Sequence, residues 1–255
     1  MLSELRRIYR RLYRVGGFGA VTASMLPVYT VRRAIASESS RDEVQDRWVR
    51  AWSAALLRLF AIDVDVRGPP ASGTRGRLVV ANHRSTIDIA VLLRVFGGHM
   101  VSRADLSGWP LVGAAARSVG TVFVDRQNKM SGAGAVRGMR TLLARGRTVC
   151  VFAEGTTFPD DVVRPFHPGA FLAALGSGAE VIPVGLAYER GSGAAFINES
   201  FPAHLARMSA APPTRVVLHI GAPIAVAERA RAADLRDRTH AEVQRLVDEA
   251  RALFG

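Results

Sequence analysis

Short apolar runs that alternate with stretches of helical period constrain this chain more than any other feature. Ile62–Arg67, Leu78–Ala81, His99–Ala104, Gly120–Arg126, Thr148–Phe152, Val181–Tyr188 and Arg215–Ile220 each read as a strand, the last closing the sheet. Between them, apolar residues recur three and four apart, the spacing that gives a helix one buried face. Such segments run from Thr86 to about Phe96, Leu106 to Ser118 with Pro110 near its start, Met130 to Arg145, about Gly169 to Leu175, and 232 to 254. Strand and helix in steady succession form a mainly parallel central sheet flanked by helices, so the expected class is α/β.

Two helices precede the first strand. Leu2, Leu5, Ile8, Tyr9, Leu12 and Tyr13 fall on one side of a segment that also carries Arg6, Arg7, Arg10, Arg11 and Arg14, a basic amphipathic helix. Residues 15–31 carry no charge, but Gly16, Gly17, Gly19 and Pro27 interrupt them, and their length is at the lower edge of a bilayer span. The glycines, and the passage of Arg32-Arg33 straight into further helix, argue against a cleaved signal. The expectation is a helix dipping into one leaflet with its arginines on anionic headgroups. The competing expectation is a helix packed on the protein's own body. Arg41–Phe60 is a second amphipathic helix, with Val44, Trp48, Trp52, Ala55, Leu56 and Phe60 on one face. With no repeat or linker in the sequence, the division is an N-terminal membrane-facing helical hairpin, residues 1–60, and a catalytic domain, residues 61–255.

Charge narrows the partners. Lys and Arg number 34 against 22 Asp and Glu, a formal net charge of +12, and Lys129 is the only lysine. An excess of that size implies an anionic partner. With aromatics at 7% and no recognition motif, nucleic acid is not expected, which leaves anionic lipid or a phosphate-bearing substrate. Cys150 is the only cysteine, so no disulfide forms within the chain. Its apolar neighbours disfavour the thiolate, making it a poor nucleophile. No CxxC or HExxH pattern points to a metal, and no bound cofactor is expected.

Ligands of open α/β sheets bind beyond the carboxyl ends of the strands. Here those ends carry Asn82-His83, Asp125-Arg126, Glu154-Gly155-Thr156 and Val181-Ile182-Pro183 running on to Gly185. After Leu78–Ala81 the chain turns at Asn82-His83 and enters a helix that Ser85 or Thr86 can cap. One helical turn can bring Asp88 back to His83, where a carboxylate on Nδ1 fixes the tautomer and leaves Nε2 to accept a proton. A histidine and an aspartate five residues apart are equally the start of an ordinary capped helix.

The four stretches together, in order, resemble the glycerophospholipid acyltransferase family, over roughly residues 75–190. Asn82-His83-x-x-x-x-Asp88 is similar to its first block, Gly120-x-x-Phe123-Val124-Asp125-Arg126 to its second, Phe152-Ala153-Glu154-Gly155-Thr156 to its third and Val181-Ile182-Pro183-Val184 to its fourth. The resemblance implies direct transfer of a fatty acyl chain from an acyl-CoA or acyl carrier protein thioester to a lysolipid hydroxyl, foremost 1-acylglycerol-3-phosphate, at the cytoplasmic face of a membrane. His83 is then the general base and Asp88 its orienting partner. Arg126 holds an anionic headgroup, while Asn82, Asp125, Glu154, Gly155 and Thr156 bind or shape the acceptor. Ser85 as a nucleophile is the weaker alternative.

Three positions depart from the pattern, the mildest being Ala153 in place of the third block's usual proline. The third block usually ends in arginine, here Thr157, and the usual Pro-Phe-Lys-x-Gly reads Pro165-Phe166-His167-Pro168-Gly169. A threonine cannot replace a bidentate donor to a phosphomonoester. Either Arg164 or His167 compensates, or the acceptor lacks a terminal phosphate, as in members resembling lyso-ornithine lipid acyltransferases. A membrane-binding module with a decayed site is the reading outside enzymology. Oligomeric state is not legible in the sequence.

Overall fold

The protein is described by a computed structural model covering residues 2–70, 73, 75–125 and 127–255. Two helices open the chain, α1 (Leu2–Ile35) and α2 (Arg41–Leu59). There follow β1 (Ile62–Arg67), β2 (Arg77–Ala81), α3 (Ile87–Phe96), β3 (His99–Arg103), α4 (Val112–Ser118), β4 (Val122–Val124), α5 (Lys129–Ala144) and β5 (Thr148–Phe152). The C-terminal part adds α6 (Gly169–Ala174), β6 (Glu180–Tyr188), α7 (Phe201–Ala210), β7 (Thr214–Ile220), β8 (Ile224–Ala225) and α8 (Ala232–Ala252).

The strands form one sheet in the order β1-β7-β6-β2-β5-β3-β4, with β8 also on β6. Its β6-β2-β5-β3-β4 block is parallel, and β7 and β8 meet β6 antiparallel. The mainly parallel α/β expectation holds. One placement does not: Arg215–Ile220 lies inside the sheet as β7, and β1 takes the edge beside it by pairing parallel to β7.

The period of two along the strands sorts two cores onto opposite faces. Val79, Cys150, Ile182, Leu186 and Leu218 face α2 and α3, whose Val49, Leu57, Val91 and Leu92 complete one cluster. Leu78, Val80, Val149, Val151 and Val181 face the other way, onto Met139, Leu143, Phe171, Val243 and Val247 of α5, α6 and α8. Each such side chain fully buried contributes about 1.5–3 kcal/mol. Gly185 fixes the approach of α8, because a Cβ there would lie 2.4 Å from the Leu246 carbonyl carbon and the Val247 nitrogen.

At the N-terminus, residues 2–35 form one continuous helix through Pro27. One face carries Arg14, Thr22 and Tyr29, all buried, and packs on α2 and α7. The Arg14 guanidinium donates to the carbonyls of Leu59 at 3.1 Å and Ala211 at 2.7 Å, tying α1 to the ends of α2 and α7. Its other face exposes Leu5, Ile8, Tyr9, Leu12, Tyr13, Val28, Val31 and Ile35. No described helix is long and apolar enough to cross a membrane. Trp48, Val49 and Leu57 of α2 belong to the same core as the sheet.

Other differences are local. The Leu106–Ser118 helix is broken: a 3-10 turn ends at Gly108 and α4 begins at Val112. Pro110 and Leu111, with a φ of 60°, fill the gap. α7 has no counterpart in the sequence reading; it starts at Ser200, whose hydroxyl accepts from Ala203 N, with proline in its first turn.

Candidate active site

β2 ends at Ala81, between β5 and β6, so the turn after it emerges at the centre of the sheet's carboxyl rim. Asn82 extends the pairing beyond the strand. Its amide donates to Leu186 O at 3.0 Å and accepts from Leu186 N at 2.8 Å. Both polar ends are spent on the β6 main chain, so Asn82 frames the turn and offers no free group to a substrate, against the expectation of a substrate contact.

His83 is fixed on every side but one. Its N–H donates to Glu154 Oε2 at 2.6 Å, and its carbonyl accepts from Phe158 N at 2.9 Å. The ring stacks on Phe152 with centroids 3.8 Å apart and planes 6° from parallel. Nδ1 lies 2.9 Å from Asp88 Oδ2. That oxygen also accepts from the main-chain N–H groups of Arg84 and Ser85, at 2.7 and 2.8 Å, so the Nδ1 that faces it is the donor. Among the described residues Nε2 has no hydrogen-bond partner, and 16% of the side chain is open to solvent. The pair the sequence placed on one helical turn is thus assembled, with the lone pair of Nε2 free at the rim.

The helix start differs from expectation in detail. Ser85 Oγ accepts from Ile87 N at 3.3 Å, but Thr86, the residue before α3, makes no capping bond. Ser85 is buried and also meets His204 Nε2 at 3.3 Å. His204 Nδ1 in turn meets Glu199 Oε1 at 3.0 Å, and the Arg207 guanidinium beside that carboxyl holds it well below the usual range, at about 2.

Glu154 is buried, and its two oxygens accept from His83 N and from Arg164 N, the latter at 2.9 Å. Burial pushes its carboxyl up to about 7 despite those two donors. It thereby clamps the His83 turn to the loop after β5. Gly155, with a φ of 87°, takes the tight turn that β5 needs there. Thr156 and His167 are exposed at the rim, and His167 N donates to Ala153 O at 2.8 Å. The Arg164 side chain reaches Asp160 at 2.6 Å and lies over the Phe158 ring. Asp125 is exposed beyond β4, accepting from Gln127 N at 3.0 Å. Arg126 lies outside the described residues.

Several groups at the site escaped the sequence reading. Tyr188 at the end of β6 donates its hydroxyl to Asp88 Oδ1. Arg84 holds the loop by donating to Asp161 and to Pro159 O. Arg103 ends β3, between the Glu154 and Asp125 strand ends, and pairs with the exposed Asp105 at 3.0 Å. A cation at the carboxyl end of a strand is a signal the strand-end rule could have caught. Cys150 is buried within β5 and burial pushes its thiol up to about 12, which removes it from nucleophilic chemistry near neutral pH. Among the described residues no group of His, Cys, Asp or Glu could hold a metal ion.

An apolar cavity of about 160 Å³ lies between α1, α2, α3 and α4. Phe18, Trp52, Leu93, Trp109 and Met208 line it, and Thr86 and Ile87, from the turn that carries His83, form part of its wall.

Comparison with known proteins agrees with this geometry. Residues 63–187 match the family model described as Acyltransferase. Over 144 residues the chain is 30% identical to a 1-acyl-sn-glycerol-3-phosphate acyltransferase of Neisseria gonorrhoeae, covering 56% of each chain. Over 151 residues it is 34% identical to a lyso-ornithine lipid O-acyltransferase of Pseudomonas aeruginosa, covering 58% of this chain and 56% of that one. The chain thus spans little more than half the length of these relatives. In three dimensions it superposes on the 1-acyl-sn-glycerophosphate acyltransferase of Thermotoga maritima with a TM-score of 0.77 over 98% of both chains at 22% identity, a likeness of fold.

Proposed function

We propose that this chain, which belongs to the acyltransferase family through residues 63–187, moves a fatty acyl chain from a thioester to the free hydroxyl of a lysolipid. The observation that carries the reading is His83, whose Nδ1 is held by a buried carboxylate while Nε2 is free at the rim. A lysolipid hydroxyl that meets Nε2 gives up its proton as its oxygen attacks the thioester carbonyl. Asp88 stabilises the imidazolium that forms. The tetrahedral intermediate collapses, the C–S bond breaks, and the thiolate leaves with the proton from His83. An ester and a free thiol result, and no acyl-enzyme is needed, in keeping with the buried Cys150.

The apolar cavity beside Thr86 and Ile87 suits the hydrocarbon of an acyl group brought to His83. The exposed apolar face of α1, flanked by Arg6, Arg7, Arg10, Arg11 and Arg32, suits a helix lying in the plane of an anionic membrane surface. Lipid substrates reach the rim from that surface, on the cytoplasmic side where the thioester donors are made.

Lysophosphatidate is the first acceptor, by likeness to the Neisseria relative, with Arg103 and Arg126 as the cations available to its phosphate. A second reading is lyso-ornithine lipid. Thr157 stands where a bidentate arginine is usual, Arg164 is occupied by Asp160, and the Pseudomonas relative acts on that acceptor class. The experiment is an acceptor panel: the purified chain in anionic vesicles with acyl-CoA or acyl carrier protein, offered lysophosphatidate, other lysophospholipids and lyso-ornithine lipid. Donor-dependent formation of the doubly acylated lipid from one of them is expected, and no transfer to any of them contradicts the proposal.

A further inference from the structure

We propose that Tyr188 is a positioning residue for the transfer, its hydroxyl holding the second oxygen of Asp88 and setting how strongly that carboxylate supports His83. The inference rests on the reading of His83 as the base and adds a group that no local sequence pattern marks. Asp88 is fully buried, and among the described residues its hydrogen-bond partners all donate to it. Oδ2 takes His83 Nδ1 and the amides of Arg84 and Ser85, and Oδ1 takes the Tyr188 hydroxyl alone. The two amides fix the position of Oδ2, and the Tyr188 bond holds the other oxygen, so that it sets the tilt of the carboxylate plane toward Nδ1.

Tyr188 is itself held in place. It is buried in the core, its main chain pairs with Val216, and its carbonyl accepts from Arg251 at 2.6 Å. Burial and the adjacent Asp88 push its phenol well above the ordinary value, so it remains a donor throughout the working pH range. The charged and titratable groups around the Asp88–Tyr188 pair are His83 and Arg84 from the turn, Glu154 from the β5 loop, His204 from α7 and Arg251 from α8. On the far side, the Glu199–His204–Ser85 chain anchors the residue whose amide supplies one of the Oδ2 donors.

Each donor on a carboxylate draws charge away from it and weakens its support of a neighbouring imidazolium. Tyr188→Phe keeps the packed ring and deletes one donor. With that donor gone, the imidazolium is better stabilised but the carboxylate is less well aimed. Expected are a fall in kcat of about 3- to 10-fold, the weight of one hydrogen bond, unchanged KM values, and an acid limb of the rate profile moved to higher pH. The pH midpoint of the His83 ring signal, followed by NMR with labelled histidine and assigned by its loss in His83→Gln, moves the same way. Uniform 3-fluorotyrosine labelling, which strengthens the phenol as a donor and leaves the shape intact, moves limb and midpoint to lower pH. A drop in kcat with limb and midpoint unmoved, a rise in KM instead, or no response to the fluorinated residue overturns the proposal. Should the acceptor panel show no transfer, the function proposed above fails, while the His83 midpoint still reports on Tyr188.

Discussion

Asp88→Asn removes one charge from the site and very little else. Two main-chain N–H groups, of Arg84 and Ser85, point at the Oδ2 position, so the amide oxygen of asparagine must occupy it. Its NH2 then faces Tyr188, whose hydroxyl turns from donor to acceptor. His83 keeps its proton on Nδ1, and the tautomer survives. What is lost is the attraction between the carboxylate and the imidazolium that forms as the hydroxyl is deprotonated. For unit charges about 4 Å apart at an effective dielectric near 20 this is about 4 kcal/mol, equivalent to roughly three decades in rate. The expected result is a fall in kcat of about 100- to 1000-fold with little change in KM. The assay is initial-rate release of CoA from acyl-CoA with lysolipid in vesicles, alongside a thermal melt by circular dichroism showing the variant folded. A folded variant that loses less than about 10-fold would refute the claim that Asp88 acts through its charge on His83.

Further predictions concern the frame, the thiol and the surface. Glu154→Gln leaves one of the two amides, of His83 or Arg164, facing an NH2 group, an unpaired buried donor costing about 1–3 kcal/mol. Because the folded-state value of Glu154, about 7, is above its ordinary 4.5, wild type gains stability from this group at pH below 4.5 and loses it as pH rises through 7. The stability gap between wild type and Glu154→Gln, read by urea titration, should therefore narrow by about 3 kcal/mol from acid to pH 8; a gap that widens contradicts the burial effect. Cys150→Ala keeps full turnover, and wild-type Cys150 reacts with a thiol reagent only after denaturation, whereas fast labelling of the native chain would contradict its burial. Tyr9→Glu with Leu12→Glu, both on the exposed face of α1, lowers sedimentation with anionic vesicles by at least about 10-fold and leaves the melt unchanged; undiminished binding removes α1 from the membrane contact.

What was legible in the sequence was what is encoded locally. Period-two runs gave the strands, and their polar ends gave the rim. The five-residue spacing of His83 and Asp88 brings them together because the turn and the first helical residues close on themselves. Long-range contacts were not legible. Tyr188 meets Asp88 from 100 positions away, and His204, itself held by Glu199, reaches Ser85 from a helix that a Pro202-bearing stretch did not announce. For the same reason Asn82 and Glu154 were expected at the substrate, when Asn82 is engaged by the main chain of β6 and Glu154 by main-chain amides of the His83 turn and of the loop after β5. Order within the sheet was equally hidden: nothing in Arg215–Ile220 shows that it slips between β1 and β6. On α1 one face packs against the body, as one of the two expectations for the N-terminus had it, and the other face is exposed.

The central claim is that His83 Nε2 takes the proton of the lysolipid hydroxyl. Its most direct test is His83→Ala, assayed for thioester-dependent acylation of the acceptor that wild type uses, with melting and vesicle binding measured on the same preparation. The account predicts a loss of at least about 1000-fold in kcat with both physical measurements unchanged. Turnover retained near the wild-type rate in the folded, vesicle-bound variant would contradict it.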